Sequence, residues 1–174
     1  MLLLATCRQG RHATDNNNIH TNNDTIVLFK KDSSFIAGNI TTVTKCSFLN
    51  NSGKALKNPV NTLLILDQPT LLPAPEGVYE LYLSSQPPDI DKLSSSRAGF
   101  TALLDMYSFT APGAKPQIEM DISEAIKRLL LQNPSLPAVY IIIRFQPVKL
   151  SDGTYSNKAG ELRFKGLSIV HVKM

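Results

Sequence analysis

Gly77-Val78-Tyr79-Glu80-Leu81-Tyr82-Leu83 is the stretch that decides the fold of this chain. Side chains alternate between the two faces of a strand. Tyr79, Leu81 and Leu83 therefore share one face, and Val78, Glu80 and Tyr82 share the other. A clean period of two argues for a strand rather than a helix. The flanks agree. Pro69, Pro73 and Pro75 stop any helix from running in from the N-terminal side, and Pro87-Pro88 with Ser94-Ser95-Ser96 marks a loop beyond.

Working outward, the same grammar repeats. Upstream, Thr62-Leu63-Leu64-Ile65-Leu66 is a short continuous apolar run, which suits a strand buried on both faces. Thr41 to Phe48 is rich in Thr and Val, residues that favour the pleated state, and it ends at the turn cluster Asn50-Asn51-Ser52-Gly53. Thr25 to Lys30 is another strand. Downstream, Ala98 to Ser108 places Phe100, Ala102 and Leu104 on one face, and Gln117 to Met120 alternates again. Val139-Tyr140-Ile141-Ile142-Ile143-Arg144-Phe145 reads as a central strand. Ser151-Asp152-Gly153 is a turn, and Glu161 to Phe164 with Leu167 to Val172 forms a closing pair around Lys165-Gly166.

One segment is helical. Asp121-Ile122-Ser123-Glu124 has the form of a capping box. Ile122, Ala125, Ile126, Leu129 and Leu130 follow on one face, and Pro134 and Pro137 end the helix. About eight short strands, frequent turns and one short helix predict a mainly β protein. The expected form is an antiparallel β-sandwich or barrel, jelly-roll-like. No βαβ alternation and no internal repeat is visible. Residues 1–24 read as a disordered leader or linker remnant, with Asn16-Asn17-Asn18 and Asn22-Asn23 in a polar stretch of no hydrophobic period. Residues 25–174 read as a single sandwich domain.

Composition narrows the function. Hydrophobic residues make up 43% and charged residues 18% of 174, which is globular and not disordered. The net charge is +4, but the basic residues are scattered, so nucleic acid is not an expected partner. The longest apolar run, Ala138 to Ile143, is far too short to span a membrane. Met1-Leu2-Leu3-Leu4-Ala5-Thr6-Cys7 closes an apolar stretch on Cys, as a lipoprotein signal does. It is too short, lacks a basic start and has Thr6 before the cleaved bond. A flexible or artefactual start is the plainer reading, and an exported or periplasmic protein is the alternative.

Chemistry-bearing clusters are sparse. His12, His20 and His171, with Cys7 and Cys46, show no metal-ligand spacing. Cys46 reads as a small buried hydrophobe, and His171 as a surface or hydrogen-bonded histidine on the last strand. No phosphate loop, Gly-x-Ser-x-Gly elbow or His-Glu-x-x-His is present. Asp89, Asp91, Asp105 and Glu119 read as solvated, Asp121 and Glu124 as capping carboxylates. Tyr79, Tyr82, Tyr107, Tyr140 and Tyr155 could line a sugar-binding face, although Tyr79 and Tyr140 suit core or sheet-face positions better. Asn39-Ile40-Thr41 and Asn50-Asn51-Ser52 are glycosylation sequons of the kind that arise by chance. No catalytic residue, cofactor or metal is expected.

The order of elements from Asn61 onward resembles the C-terminal β domain that follows the copper domain in polyphenol oxidases and many bacterial tyrosinases. Leu63 to Leu66 and Gly77 to Leu83 resemble the family's strand pair ending in V-Y-x-V-Y-L. Ala98 to Leu104 resembles its F-x-G-x-L-x-L-F strand, though here Gly99 precedes Phe100. Ile118 to Ile126 resembles F-x-x-D-I-T-x-A-L, Val139 to Pro147 the V-x-V-x-F-x-P strand, and Leu162 to Val170 the closing hairpin with I-x-x-I-x-I. The family's six copper-binding histidines and helical bundle have no counterpart here. The resemblance therefore implies an accessory domain that caps the substrate entrance of a tyrosinase-like copper domain, in cis or in trans. It implies a bulky plug after the Ala98–Ser108 strand, where Met106, Tyr107 and Phe109 are the candidates. The competing expectations are a β-sandwich module that binds carbohydrate or a cell-surface protein, and a hydrolase using carboxylates.

Overall fold

A computed structural model describes residues 25–49, 61–89, 100–104 and 117–173. Among them run β1 (Thr25–Lys31), β2 (Phe35–Ala37), β3 (Thr42–Ser47), β4 (Thr62–Asp67), β5 (Thr70–Leu72) and β6 (Gly77–Ser84). Then come β7 (Phe100–Leu104), β8 (Gln117–Asp121), the helix α1 (Ser123–Gln132), β9 (Ala138–Pro147), β10 (Glu161–Phe164) and β11 (Gly166–Val172). Every paired strand is antiparallel. The sheets are ordered β1-β11-β4-β8, β3-β9-β6-β7 and β2-β10-β5. The protein is thus mainly β and sandwich-like, and not a closed barrel.

The third sheet continues the first. Its order β2-β10-β5 repeats β1-β11-β4, and each pair of counterparts is adjacent in the chain. Three strands therefore cross one fold line, interrupted by residues 32–34, 68–69 and 165. Counting each as one kinked strand leaves eight strands in two layers, in the order of a jelly roll. The chemistry of the fold line explains the breaks. Asp32-Ser33-Ser34 is polar, Gln68 takes a left-handed φ of 43° before Pro69, and the Lys165 N–H donates to the Asp67 carbonyl (2.9 Å). A Cβ on Gly166 would stand 2.9 Å from the Asp67 carboxylate.

The predicted face of the deciding strand is borne out: Tyr79, Leu81 and Leu83 lie in the core. Leu104 lies there too, with Ala102 packed against it. Other expectations need correction. The continuous run of β4 is not buried on both faces; Thr62, Leu64 and Leu66 are buried while Leu63 and Ile65 are half-exposed. The closing hairpin does not exist, because β10 and β11 lie on opposite sides of the fold line and each pairs with other strands. β2 and β5, three residues each, are too short to show a period.

The capping box is also absent. The N-cap is Ile122, which offers no side-chain cap. Asp121 instead ends β8 and its carboxylate accepts the Ser123 N–H (2.8 Å). The Ser123 hydroxyl accepts the Thr62 N–H (2.9 Å), and the Ile122 N–H donates to the Thr62 carbonyl (2.8 Å). The helix start thus completes the hydrogen bonding of a fully buried strand residue. Ile122, Ala125, Ile126 and Leu129 then plug this end of the sandwich.

Candidate docking surface

The two ends of the sandwich differ in what they expose. Antiparallel register places Thr62, Asp121, Ala138 and Val172 at the helix end, and Lys31, Asp67, Gly77, Leu104, Gln117 and Pro147 at the folded end. Among the described residues, two of the exposed large apolar side chains, Leu49 and Leu131, belong to the helix end, and three, Val43, Val78 and Leu103, lie along the β3-β9-β6-β7 sheet. Six belong to the folded end. Ile36 and Leu72 stand on the outer face of the third sheet, beside the ion pair of Arg163 with Glu161. Ile40 lies in the β2–β3 turn and is 81% exposed. Val148, Leu150 and Tyr155 follow β9. Scattered exposed apolar residues are ordinary, but several on one side of a molecule suggest a contact surface.

The last three sit on a finger. Every residue from 148 to 155 is exposed, and Ser156 is buried again. Lys149 and Tyr155 bridge across the finger. At its tip the Leu150 N–H donates to the Thr154 carbonyl (2.8 Å) and the Gly153 N–H to the Leu150 carbonyl (3.0 Å). Gly153 takes φ 86°, a left-handed geometry that favours glycine. The Asp152 carboxylate accepts the Thr154 N–H (2.9 Å) and hydroxyl (2.7 Å). Those bonds stabilise the anion and hold its pKa below the ordinary aspartate value.

The base of the finger is stitched to the segment before β6. The Val148 N–H donates to the Glu76 carbonyl and the Glu76 N–H to the Lys158 carbonyl. The Ser156 hydroxyl donates to the Glu76 carboxylate (2.7 Å) and Lys158 Nζ pairs with it (2.6 Å). Lys158, then Ser156, hold the Glu76 carboxyl below its usual range. Deeper in, the Tyr79 hydroxyl donates among the carbonyls of Ala159 (3.0 Å), Ala37 (3.2 Å) and Gly160 (3.4 Å). Burial pushes its pKa up to about 12, aided by the charge of Glu161. This buried tyrosine ties the two layers together under the finger.

Met106, Tyr107 and Phe109 lie outside the described residues, as do Asp91, Asp105, Asn50 and the leader with His12, His20 and Cys7. The connection that carries the three plug candidates leaves β7 at Leu104 and enters β8 at Gln117. It therefore joins edge strands of the two layers at the folded end. Gln117 Nε2 donates to the Asp67 carboxylate on the fold line (2.8 Å).

The other predicted residues do not converge. Asp89, Glu119, Asp121 and Glu124 are exposed. Of the tyrosines, Tyr79 and Tyr82 are buried, Tyr140 is half-buried and Tyr155 is exposed. Cys46 is buried as predicted, and burial pushes its thiol up to about 12 against the opposing charge of Lys31. His171, expected at the surface or hydrogen-bonded, meets that expectation only in part. It is half-buried between Ile26 and Thr62, and its Nδ1 is shut from solvent with no hydrogen-bond partner among the described residues.

On the outer face of the β3-β9-β6-β7 sheet, Arg144 grips Glu80 through Nη2 (2.6 Å) and Nε (3.1 Å). Tyr82 donates to the same carboxylate (2.7 Å), and the guanidinium lies 5.2 Å from the Tyr82 ring centre. All groups here are mutually satisfied, which is a structural arrangement. Among the described residues no cluster of His, Cys, Asp or Glu could hold a metal, and no helix is long and apolar enough to cross a membrane. Sequence reasoning missed the finger. Its signal was Asp152-Gly153, a dipeptide favoured in hairpin turns, with Leu150 and Tyr155 on either side. The sequence matches no protein-family model, and no curated protein is significantly similar to it.

Proposed function

We propose that this chain is a non-catalytic shielding domain of a tyrosinase-like (polyphenol oxidase) copper enzyme, and that it covers the substrate entrance. The observation that supports this reading is the apolar folded end. A cap needs a rigid body, exposed apolar side chains on one side and a plug beside them. The jelly roll supplies the body. Ile36, Ile40, Leu72, Val148, Leu150 and Tyr155 are the exposed side chains. The connection carrying Met106, Tyr107 and Phe109 is rooted at the same end. A carbohydrate platform of several tyrosines has less support, since Tyr155 is the exposed one among the described tyrosines. A carboxylate hydrolase also has less, because the shifted carboxyl groups among the described residues, Glu76 and Asp152, are more acidic than usual rather than less.

The test is diphenol oxidation by an active tyrosinase core from the same source, titrated with the purified chain. Saturable inhibition, weakened by Phe109→Ala, is the expected result. Oxidation by the chain alone with added copper would overturn the reading. A tethered cap acts at an effective concentration that can reach the millimolar range, so the titration is repeated with the chain fused to the core through a flexible linker. Full activity in both formats would also overturn it.

A further inference from the structure

We infer that the finger of residues 148–155 is the element that enters the partner, and that it fits an apolar cleft with an acidic group at its mouth. This rests on the shielding reading above but assigns the contact to a segment outside the plug candidates.

Val148, Leu150 and Tyr155 are 50%, 40% and 61% exposed, so among the described residues neither face of the finger is fully covered. A two-stranded ribbon without a packed face is marginal by itself. Here its shape is fixed instead by polar bonds. The Asp152–Thr154 contacts and the Gly153 turn set the tip, the Lys149–Tyr155 bridge sets the shaft, and Glu76, Ser156 and Lys158 hold the base. These apolar side chains stand outside the hydrophobic core. They suit insertion into another surface, because a contact element ordered in advance loses little entropy on binding. Tyrosine is also among the residue types enriched in the energetic centres of interfaces.

The charges define the cleft. Lys149, beside Tyr155, has no ion-pair partner among the described residues. Asp152 keeps its negative charge at the tip and satisfies it within its own turn. A complementary partner therefore carries its acidic group at the mouth, level with Lys149, and none at the floor, where it would meet Asp152.

The experiment measures binding of the full chain to the purified tyrosinase core from the same source, by calorimetry at two salt concentrations. Tyr155→Ser and Lys149→Glu are compared with the unaltered chain, and thermal melting checks that both variants fold. The expected result is a Kd raised at least about tenfold by Tyr155→Ser, as for a central aromatic contact. Lys149→Glu is expected to weaken binding and reduce its salt dependence, with both melting temperatures unchanged. If both variants bind within about twofold of the unaltered chain, a difference of negligible free energy, the finger assignment is overturned and the shielding reading stands. If the unaltered chain fails to bind at about 100 µM, the same variants are compared with the chain fused to the core through a flexible linker: equal inhibition by variants and unaltered chain overturns the finger assignment alone, and full activity of the fused core overturns both readings together.

Discussion

At the helix end of the sandwich, among the described residues, two large apolar side chains, Leu49 and Leu131, face solvent. At the folded end, six do. Both ends close the same two layers, so the contrast is not imposed by the jelly roll itself. At the helix end, α1 lays Ile122, Ala125, Ile126 and Leu129 over the core and supplies Ser123 and Ile122 as partners for Thr62. At the folded end the third sheet buries Leu71, Leu162 and Phe164 beneath it and leaves Ile36 and Leu72 outside.

The sharpest way to break this comparison is to make the same kind of truncation at both ends. Ile126 is fully buried, so Ile126→Ala removes contacts and leaves a cavity, at a cost of about 2–5 kcal/mol. Leu150→Ala at the finger should change stability by no more than about 0.5 kcal/mol. Urea unfolding of both variants measures the difference. Equal losses would mean that the finger is packed and that the contrast is false.

Hydrogen bonding gives a smaller version of the same test. Ser123→Ala leaves the N–H of buried Thr62 without the hydroxyl that accepts it. An orphaned buried donor costs about 1–3 kcal/mol. The polar bonds of the finger face water, which can replace them, so Thr154→Ala should cost well under that. A loss near zero for Ser123→Ala would show that Ile122 and α1 hold Thr62 without the serine.

His171 lies at the helix end and is the exception to its completeness. Its Nδ1 is enclosed and without a partner among the described residues, and its neighbours across the sheet are Ile26 and Thr62. Valine fits a strand better and has no polar atom to satisfy. His171→Val should therefore raise stability, by up to about 1 kcal/mol, seen as a later urea midpoint. A fall of that size would assign His171 a bonding role.

Much of this contrast was legible in the sequence, and one part was not. Alternation at Tyr79, Leu81 and Leu83 carried the core face, because a period of two is local information. The spacing of Ile122, Ala125, Ile126 and Leu129 carried the plug in the same way. The fold line was hidden, since Lys165 alone separates two strands of different sheets and adjacency in sequence reads as a hairpin. The capping box misled because Asp121 was claimed by β8, a tertiary demand that overrides a local motif. The finger was hidden for a different reason. Leu150 and Tyr155 look like any core residues, and only the three-dimensional arrangement reveals that both stay exposed. Met106, Tyr107 and Phe109 came from the resemblance rather than from any pattern, so the candidate site was read from two unconnected sources.

Acid should loosen the folded end selectively, and this is the smallest of the expected effects. Glu76 anchors the finger base through Lys158 and Ser156. Its folded pKa lies below its ordinary value of 4.5. A carboxylate depressed on folding adds stability that is present above its unfolded pKa and is lost as pH falls through the folded one. The contribution should therefore be whole near neutral pH and decline from just above pH 4.5 downward. The group is partly exposed, so solvent and salt screen the pair and the global melting point should barely move. The local signal is clearer. Amide exchange at Val148 and Ser156, whose N–H groups bond within the base, should quicken across that window relative to amides of β4. Glu76→Gln cannot titrate there and should flatten the response. If it leaves the acid response of those two amides intact, the base is governed by another group, and the folded end owes its rigidity to the sheet rather than to this carboxylate.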